Sequence, residues 1–165
     1  MDQEDGQQKL AFLFILILTG AGALAWVYWP RSTRALDTPE ELAAQALTGD
    51  NAIVQTRAAA QLSTQGATPQ LRVVMAQTRD PEVRATAAQA LGDLEDFQSV
   101  PELLRLCDDP SALVRGRAGS ALTNILGMDF FFKADDPPKQ RAAAIESMRR
   151  AYDQMRRSPP PKYRK

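Results

Sequence analysis

Asp109-Pro110-Ser111-Ala112-Leu113-Val114-Arg115-Gly116-Arg117-Ala118-Gly119-Ser120-Ala121-Leu122 reads as a turn running straight into a helix. Asp109 or Ser111 can cap the first free amides, and a proline suits a first helical turn. Leu113, Val114, Ala118, Ala121, Leu122 and Ile125 then recur at helical spacing, with small residues where a second helix can come close. The same pattern occurs earlier, in Asp80-Pro81-Glu82-Val83-Arg84-Ala85-Thr86-Ala87-Ala88-Gln89-Ala90-Leu91-Gly92. Val83 and Val114 set the period. In that register Arg84 matches Arg115, Ala87 matches Ala118, Ala90 matches Ala121 and Leu91 matches Leu122. A worn copy lies nearly one period further upstream, with Val54, Ala58 and Leu62 in the Val, Ala and Leu slots. There Asn51 stands where Asp80 would be, Gln55 replaces the Arg and Gln61 replaces an Ala.

A fixed period of this size, with two helices per unit, is the sequence mark of an α-solenoid. The run Asp-Pro-(x)-Val-Arg-x-x-Ala-x-x-Ala-Leu resembles the second helix of a HEAT or HEAT-like repeat. The worn first copy suits a terminal, capping repeat. In that resemblance the second helices line the binding side of the solenoid. It therefore implies partner-binding positions at Thr86, Gln89, Asp93, Arg117, Ser120 and Asn124. The repeated Arg84 and Arg115 imply a structural ladder, with Asp and Arg pairing within or between units.

Composition narrows the chemistry. The chain has 165 residues, enough for one modest domain, and 20 Lys and Arg balance 20 Asp and Glu. The charge is segregated. Asp37 to Asp136 holds 15 acidic and 8 basic residues, while Pro137 to Lys165 holds 9 basic and 2 acidic. There is no histidine and a single cysteine, Cys107, which removes most metal-site and general-base options and any intrachain disulfide. Deoxyhypusine hydroxylases, which use HEAT-like repeats, bind iron through His-Glu pairs, so that activity is excluded. The resemblance to phycobilin lyases stops at the generic repeat. The acidic pairs Glu40-Glu41, Glu95-Asp96, Asp108-Asp109 and Asp135-Asp136 sit at helix starts or turns, where capping accounts for them. No catalytic residue, cofactor, metal or small-molecule substrate is expected.

Met1 to Lys9 is a polar, acidic tail. Leu10 to Trp29 is uncharged, and 20 residues at 1.5 Å each give about 30 Å of helix, the thickness of a hydrocarbon core. Trp26, Tyr28 and Trp29 suit an interfacial belt. The expectation is a single transmembrane helix over 10–29 that anchors the chain. A cleaved signal peptide is the competing reading, because Ala21-Gly22-Ala23 has the form of a cleavage site. Arg31 and Arg34 lean the downstream domain towards the cytoplasm, with the exported side as the alternative.

Residues 30–37 form a linker. Thr38-Pro39-Glu40-Glu41 is a helix start with a Thr cap, an early Pro and Glu at the third helical position. Helices are predicted from Thr38 to Thr48, Asn51 to Gln65, Thr68 to Thr78, Pro81 to Leu94, from Val100 onward, and Ser111 to Leu126. Gly127 to Pro138 breaks the pattern. Its Phe130-Phe131-Phe132 cannot all face one way: they plug the open end of the solenoid, or one or two form an exposed anchor. A capping helix is predicted over 137–157, with Ile145, Met148, Tyr152 and Met155 on one face. The run from Phe130 into Ala142-Ala143-Ala144-Ile145 resembles the end of HEAT-repeat proteins of planctomycete-type bacteria. Residues 158–165 read as an extended basic, Pro-rich tail.

The fold expected is therefore all-α: a membrane helix, a solenoid of about three HEAT-like pairs over 38–157, and a cap. The function expected is a non-catalytic scaffold for a protein partner. The alternative is binding of nucleic acid or anionic lipid by the basic C-terminal end, through Arg149, Arg150, Arg156, Arg157, Lys162, Arg164 and Lys165. Nucleic acid is disfavoured, because Tyr152 and Tyr163 are the only aromatics among these cations.

Overall fold

A computed structural model describes residues 38–163, leaving aside the side chain of Lys162. The expected membrane helix over 10–29 and the linker over 30–37 lie outside the described residues. Among the described residues no helix is long and apolar enough to cross a membrane.

The helices begin and end where local chemistry directs. Thr38 and Glu41 form a reciprocal capping box at the start of α1 (Pro39–Thr48). The Asn51 carboxamide oxygen accepts from the Val54 amide at 3.0 Å and opens α2 (Ala52–Thr64). Gly66, at φ +65°, turns the chain out of α2 with its amide on the Ser63 carbonyl. Next come α3 (Thr68–Gln77) and α4 (Pro81–Asp93), the latter capped by the Asp80 carboxylate on the Glu82 and Val83 amides. A 3₁₀ turn at Phe97–Ser99 leads into α5 (Val100–Leu106), then α6 (Ala112–Leu126) and α7 (Pro138–Arg157).

The start of α6 differs from expectation. The helix begins at Ala112, so Pro110 lies before its first turn, and the Ser111 side chain makes no capping bond. Asp109 accepts from the Ser111 amide instead, at 2.8 Å. Asp80-Pro81 and Asp109-Pro110 look alike in sequence but occupy different positions in the repeat register, where Asp80 is matched by Ser111. That shift leaves the Asp109 carboxylate free to face another repeat.

Helices pair as α1 with α2, α3 with α4 and α5 with α6. The second helices form one continuous layer, α2 on α4 and α4 on α6. The α4–α6 contact is the closest: a Cβ built on Gly92 would lie 2.5 Å from both Cα and Cβ of Ala121. Leu62, Leu91 and Leu122, the equivalent leucines, are completely buried. Each contributes about 1.5–3 kcal/mol by leaving water.

α7 packs on α5 and α6 through Met148, which is fully buried, and through Ile145, Tyr152 and Met155. The phenylalanine triplet divides between the two expected roles. Phe130 and Phe132 pack against the core, Phe132 over Gly119, while Phe131 is 81% exposed at φ +52°. The segment after α7 is not an extended tail through Tyr163. It closes in a 3₁₀ turn at Pro161–Tyr163. The Tyr163 ring stacks 4.8 Å from Phe97, and its hydroxyl donates to the Ile125 carbonyl at 3.0 Å.

Candidate protein-interaction groove

The repeat period that carries Val54 to Val83 and Val83 to Val114 places equivalent side chains of α2, α4 and α6 side by side. One row is Ile53, Glu82 and Leu113; the next is Arg57, Thr86 and Arg117; then Ala60, Gln89 and Ser120; then Thr64, Asp93 and Asn124. A groove of about 450 Å³ runs across this face. Its floor is small: Ala60 and Ser63 of α2, Ala85 and Ala90 of α4. Its walls carry Glu82, Asp93 and Arg117, and the exposed Leu113. Ile53, next to it in the register, is 73% exposed. Small residues at the floor follow from the close helix approach; the same alanines that let helices pack leave a hollow between them.

Four of the six expected residues, Thr86, Gln89, Asp93 and Arg117, line this groove. Gln89, Asp93 and Arg117 are joined by a polar chain. Gln89 Nε2 donates to Asp93 Oδ1 at 2.7 Å, and Arg117 Nη1 donates to Gln89 Oε1 at 3.4 Å. Ser120 and Asn124 fall instead in a second hollow of about 350 Å³, shared with Asp129 and Phe132 of the following loop. Asn124 Nδ2 reaches Asp93 Oδ1 at 3.5 Å, so the two hollows adjoin. Thr56 was not singled out by its sequence, yet it lines the groove, and its hydroxyl is buried without a hydrogen-bond partner. Its small size hides it in a sequence; only the register shows it opposite Ala85.

Behind this face runs the ladder. Arg84 Nε pairs with Asp109 Oδ2 of the next unit at 3.0 Å, and Nη1 donates to the Thr78 carbonyl at 3.0 Å. Arg115 donates to the carbonyls of Asp109, Pro110 and Ala134 at 2.8–3.0 Å and lies 3.9 Å from the exposed Asp135. In the first unit, Gln55 keeps the carbonyl six residues back, that of Gly49, at 2.9 Å. The ion pairs therefore run between units, while the bonds within a unit go to backbone carbonyls. Fixing each loop this way holds successive groove faces in line.

A family model of HEAT repeats matches residues 39–123, just over half of the chain. The chain belongs to the HEAT-repeat family. Comparison with curated proteins and with solved structures gives no match. HEAT repeats serve as protein-interaction scaffolds and are in general non-catalytic.

The spacing of the repeated arginine extends past the matched segment. Arg141 stands where Arg84 and Arg115 stand, with Ala144 three and Met148 seven residues on, as in Arg84, Ala87 and Leu91. Arg141 Nη1 donates to the Asp136 carbonyl at 2.9 Å, and Nη2 reaches back to Asp108 at 2.8 Å. α7 thus keeps the Arg, Ala and apolar spacing of the second helices before it. The step from Arg115 to Arg141 is shorter than that from Arg84 to Arg115, and this hides the copy. It is shorter because the loop over 130–133 replaces a first helix.

Among the described residues no group of His, Cys, Asp and Glu is placed to hold a metal ion. Burial, with a smaller push from Asp108, raises the Cys107 thiol to about 12. It is protonated at neutral pH and no nucleophile.

Proposed function

We propose that this protein is a membrane-anchored HEAT-repeat scaffold that holds a protein partner in the groove across α2, α4 and α6. The observation that carries the reading is that groove itself: a small-residue floor, polar walls, and Ile53 and Leu113 exposed beside it. Exposed apolar residues rimmed by polar ones are the surface chemistry of a protein-binding site. A small-residue floor fits a bulky apolar side chain of the partner. The uncharged stretch Leu10 to Trp29 supports the anchor, and its Arg31 and Arg34 flank supports a cytoplasmic solenoid. The scaffold acts without catalysis, cofactor or small-molecule substrate.

Photo-crosslinking tests the groove. A crosslinker at Thr86 captures a discrete partner in cells, and one at Val73, exposed on α3, does not. Adding Arg117→Glu abolishes the Thr86 product while the melting curve is unchanged. Equal capture at Val73 and Thr86 overturns the groove assignment. Membrane fractionation with protease shaving tests the anchor. A protein in the membrane pellet with a protected C-terminus fits the proposal; a shortened, soluble exported product marks Ala21-Gly22-Ala23 as a cleavage site.

A further inference from the structure

The two junctions between helix pairs are built differently. Between the second and third pairs, Gly92 of α4 meets Ala121 of α6 with no room for a side chain. In the repeat register the same places of the first junction belong to Ser63 of α2 and Ala90 of α4. Both line the groove of about 450 Å³. The loop edge repeats the contrast. Arg84 and Asp109 pair at 3.0 Å across the second junction. Their equivalents in the first are Gln55 and Thr78, which carry no charge. Gln55 donates to the Gly49 carbonyl of its own unit, and with Thr78 it lines a further hollow of about 770 Å³. The first junction is therefore open along its face and at its loop edge, and the buried Thr56 hydroxyl beside it has no hydrogen-bond partner.

The first pair is held instead from behind. α1 packs on α3, with Leu42, Leu71 and Met75 fully buried, and Gln70 Nε2 donates to Glu40 Oε1 at 3.0 Å. Among the described residues no ion pair joins α1 or α2 to α3–α7. The later elements are cross-linked in series: Arg72 to Asp96 at 2.8 Å, Arg84 to Asp109, and Arg141 to Asp108 at 2.8 Å. Apolar contact is non-directional and tolerates a small rotation. A guanidinium on a carboxylate has a fixed geometry and resists it. In a stack where each unit touches only its neighbours, bending concentrates at the junction that lacks such a cross-link.

We propose that the α1–α2 pair is a hinged jaw that turns about its contact with α3, against a rigid α3–α7 body, and so sets the width of the groove. The inference rests on the groove as the partner site and adds how that site is regulated. A partner side chain seated between α2 and α4 holds the jaw open. A jaw drawn onto α4, as α6 is, leaves no room for it, and Ser63 and Ala90 are small enough to let the helices close. The partner shifts the jaw by as much as it binds the open form better than the closed one.

The test uses the full chain in detergent. Spin labels at Gln61→Cys of α2 and Ser120→Cys of α6 report the width across the groove. Labels at Val73→Cys of α3 and Ser120→Cys report the body. All three positions are exposed and Cys107 is fully buried, so the labels attach to the new thiols. Gln55→Arg with Thr78→Asp rebuilds the missing cross-link. The new carboxylate also keeps the bond that Thr78 accepts from the Asp80 amide at 3.2 Å, as Asp109 does for Ser111. Double electron–electron resonance is expected to give a distance distribution about twice as wide across the groove as within the body. The double variant, checked by its thermal melt, narrows the first to match the second, and neither single variant does. It also cuts capture by the crosslinker at Thr86 about tenfold, because the open form is less populated. Equal widths in the parent overturn the hinge and, with capture at Thr86 intact, leave the groove standing. A distribution that stays wide once the cross-link is rebuilt overturns the placement of the hinge at this junction. Narrowing without loss of capture overturns its control of the groove. A parent that captures nothing at Thr86 overturns the groove reading and the control of the groove with it.

Discussion

Between α4 and α6 the packing is done by the smallest residues: Gly92 meets Ala121, and Ala87 and Ala118 are completely buried. Between the last repeat pair and the C-terminal segment it is done by the largest, with Phe132 over Gly119 of α6 and Phe97, ahead of α5, against Tyr152 and Tyr163. The first interface joins backbones; the second fills a gap with rings. In the repeats each unit must present the same surface to the next, which restricts it to residues that tolerate close approach. At the end no further unit follows, and the remaining apolar face is covered once, by whatever shape fits. The repeat body is rigid where it packs, and the end adjusts through side chains.

Breaking the close contact has the largest expected effect. Gly92→Val places side-chain atoms into the Ala121 backbone, and overpacking of this kind costs about 3 kcal/mol or more. Urea unfolding checks it. Gly119→Ala meets only the Phe132 ring, on a loop that can shift, and is expected to cost about 1 kcal/mol. If Gly119→Ala proves the worse, the contrast between backbone and ring packing fails.

The ladder ranks next. Arg84→Ala leaves the Asp109 carboxylate, 7% exposed, without its guanidinium, an expected loss of about 2–3 kcal/mol. Arg115→Ala frees three carbonyls and loosens the 127–137 segment, with an expected loss of about 2 kcal/mol. An Arg115→Ala protein that melts like the parent yet loses its partner overturns the structural role.

Cys107, at the end of α5 where body and C-terminal helix meet, sharpens the comparison by its pH dependence. Its folded pKa is raised to about 12 from an ordinary value of 9.0. The neutral thiol is the buried form, so its contribution is full below pH 9 and is lost as the unfolded chain ionises between 9 and 12. Relative to Cys107→Ala, the parent is expected to lose about 1.4 kcal/mol per pH unit at most in that window. A difference that stays flat up to pH 11 places the thiol in water. The smallest expected change is that of Tyr163→Phe, which removes one hydrogen bond to Ile125 and about 1 kcal/mol, measured by thermal melting.

Most of the repeat body was legible because its physics is periodic and local. Val83 to Val114, the Thr38–Glu41 box, the Asp80 cap and Gly66 each announce themselves within the sequence. The groove was legible to the extent that it inherits this period. Thr86, Gln89, Asp93 and Arg117 line it, Thr56 lines it without having been singled out, and Ser120 and Asn124 line another hollow with Asp129 and Phe132.

The sequence alone determined the helices, their pairing, the HEAT register and the separation of acidic body from basic end. Tertiary structure alone decided which way Arg84 and Arg115 pair, how Phe130, Phe131 and Phe132 divide, and where Tyr163 docks. The physical reason is range. A repeat is written by short-range propensity and spacing, repeated until it is unmistakable. The closing of its end depends on contacts such as Tyr163 to Ile125, 38 residues apart, made once and with no second copy to reveal them.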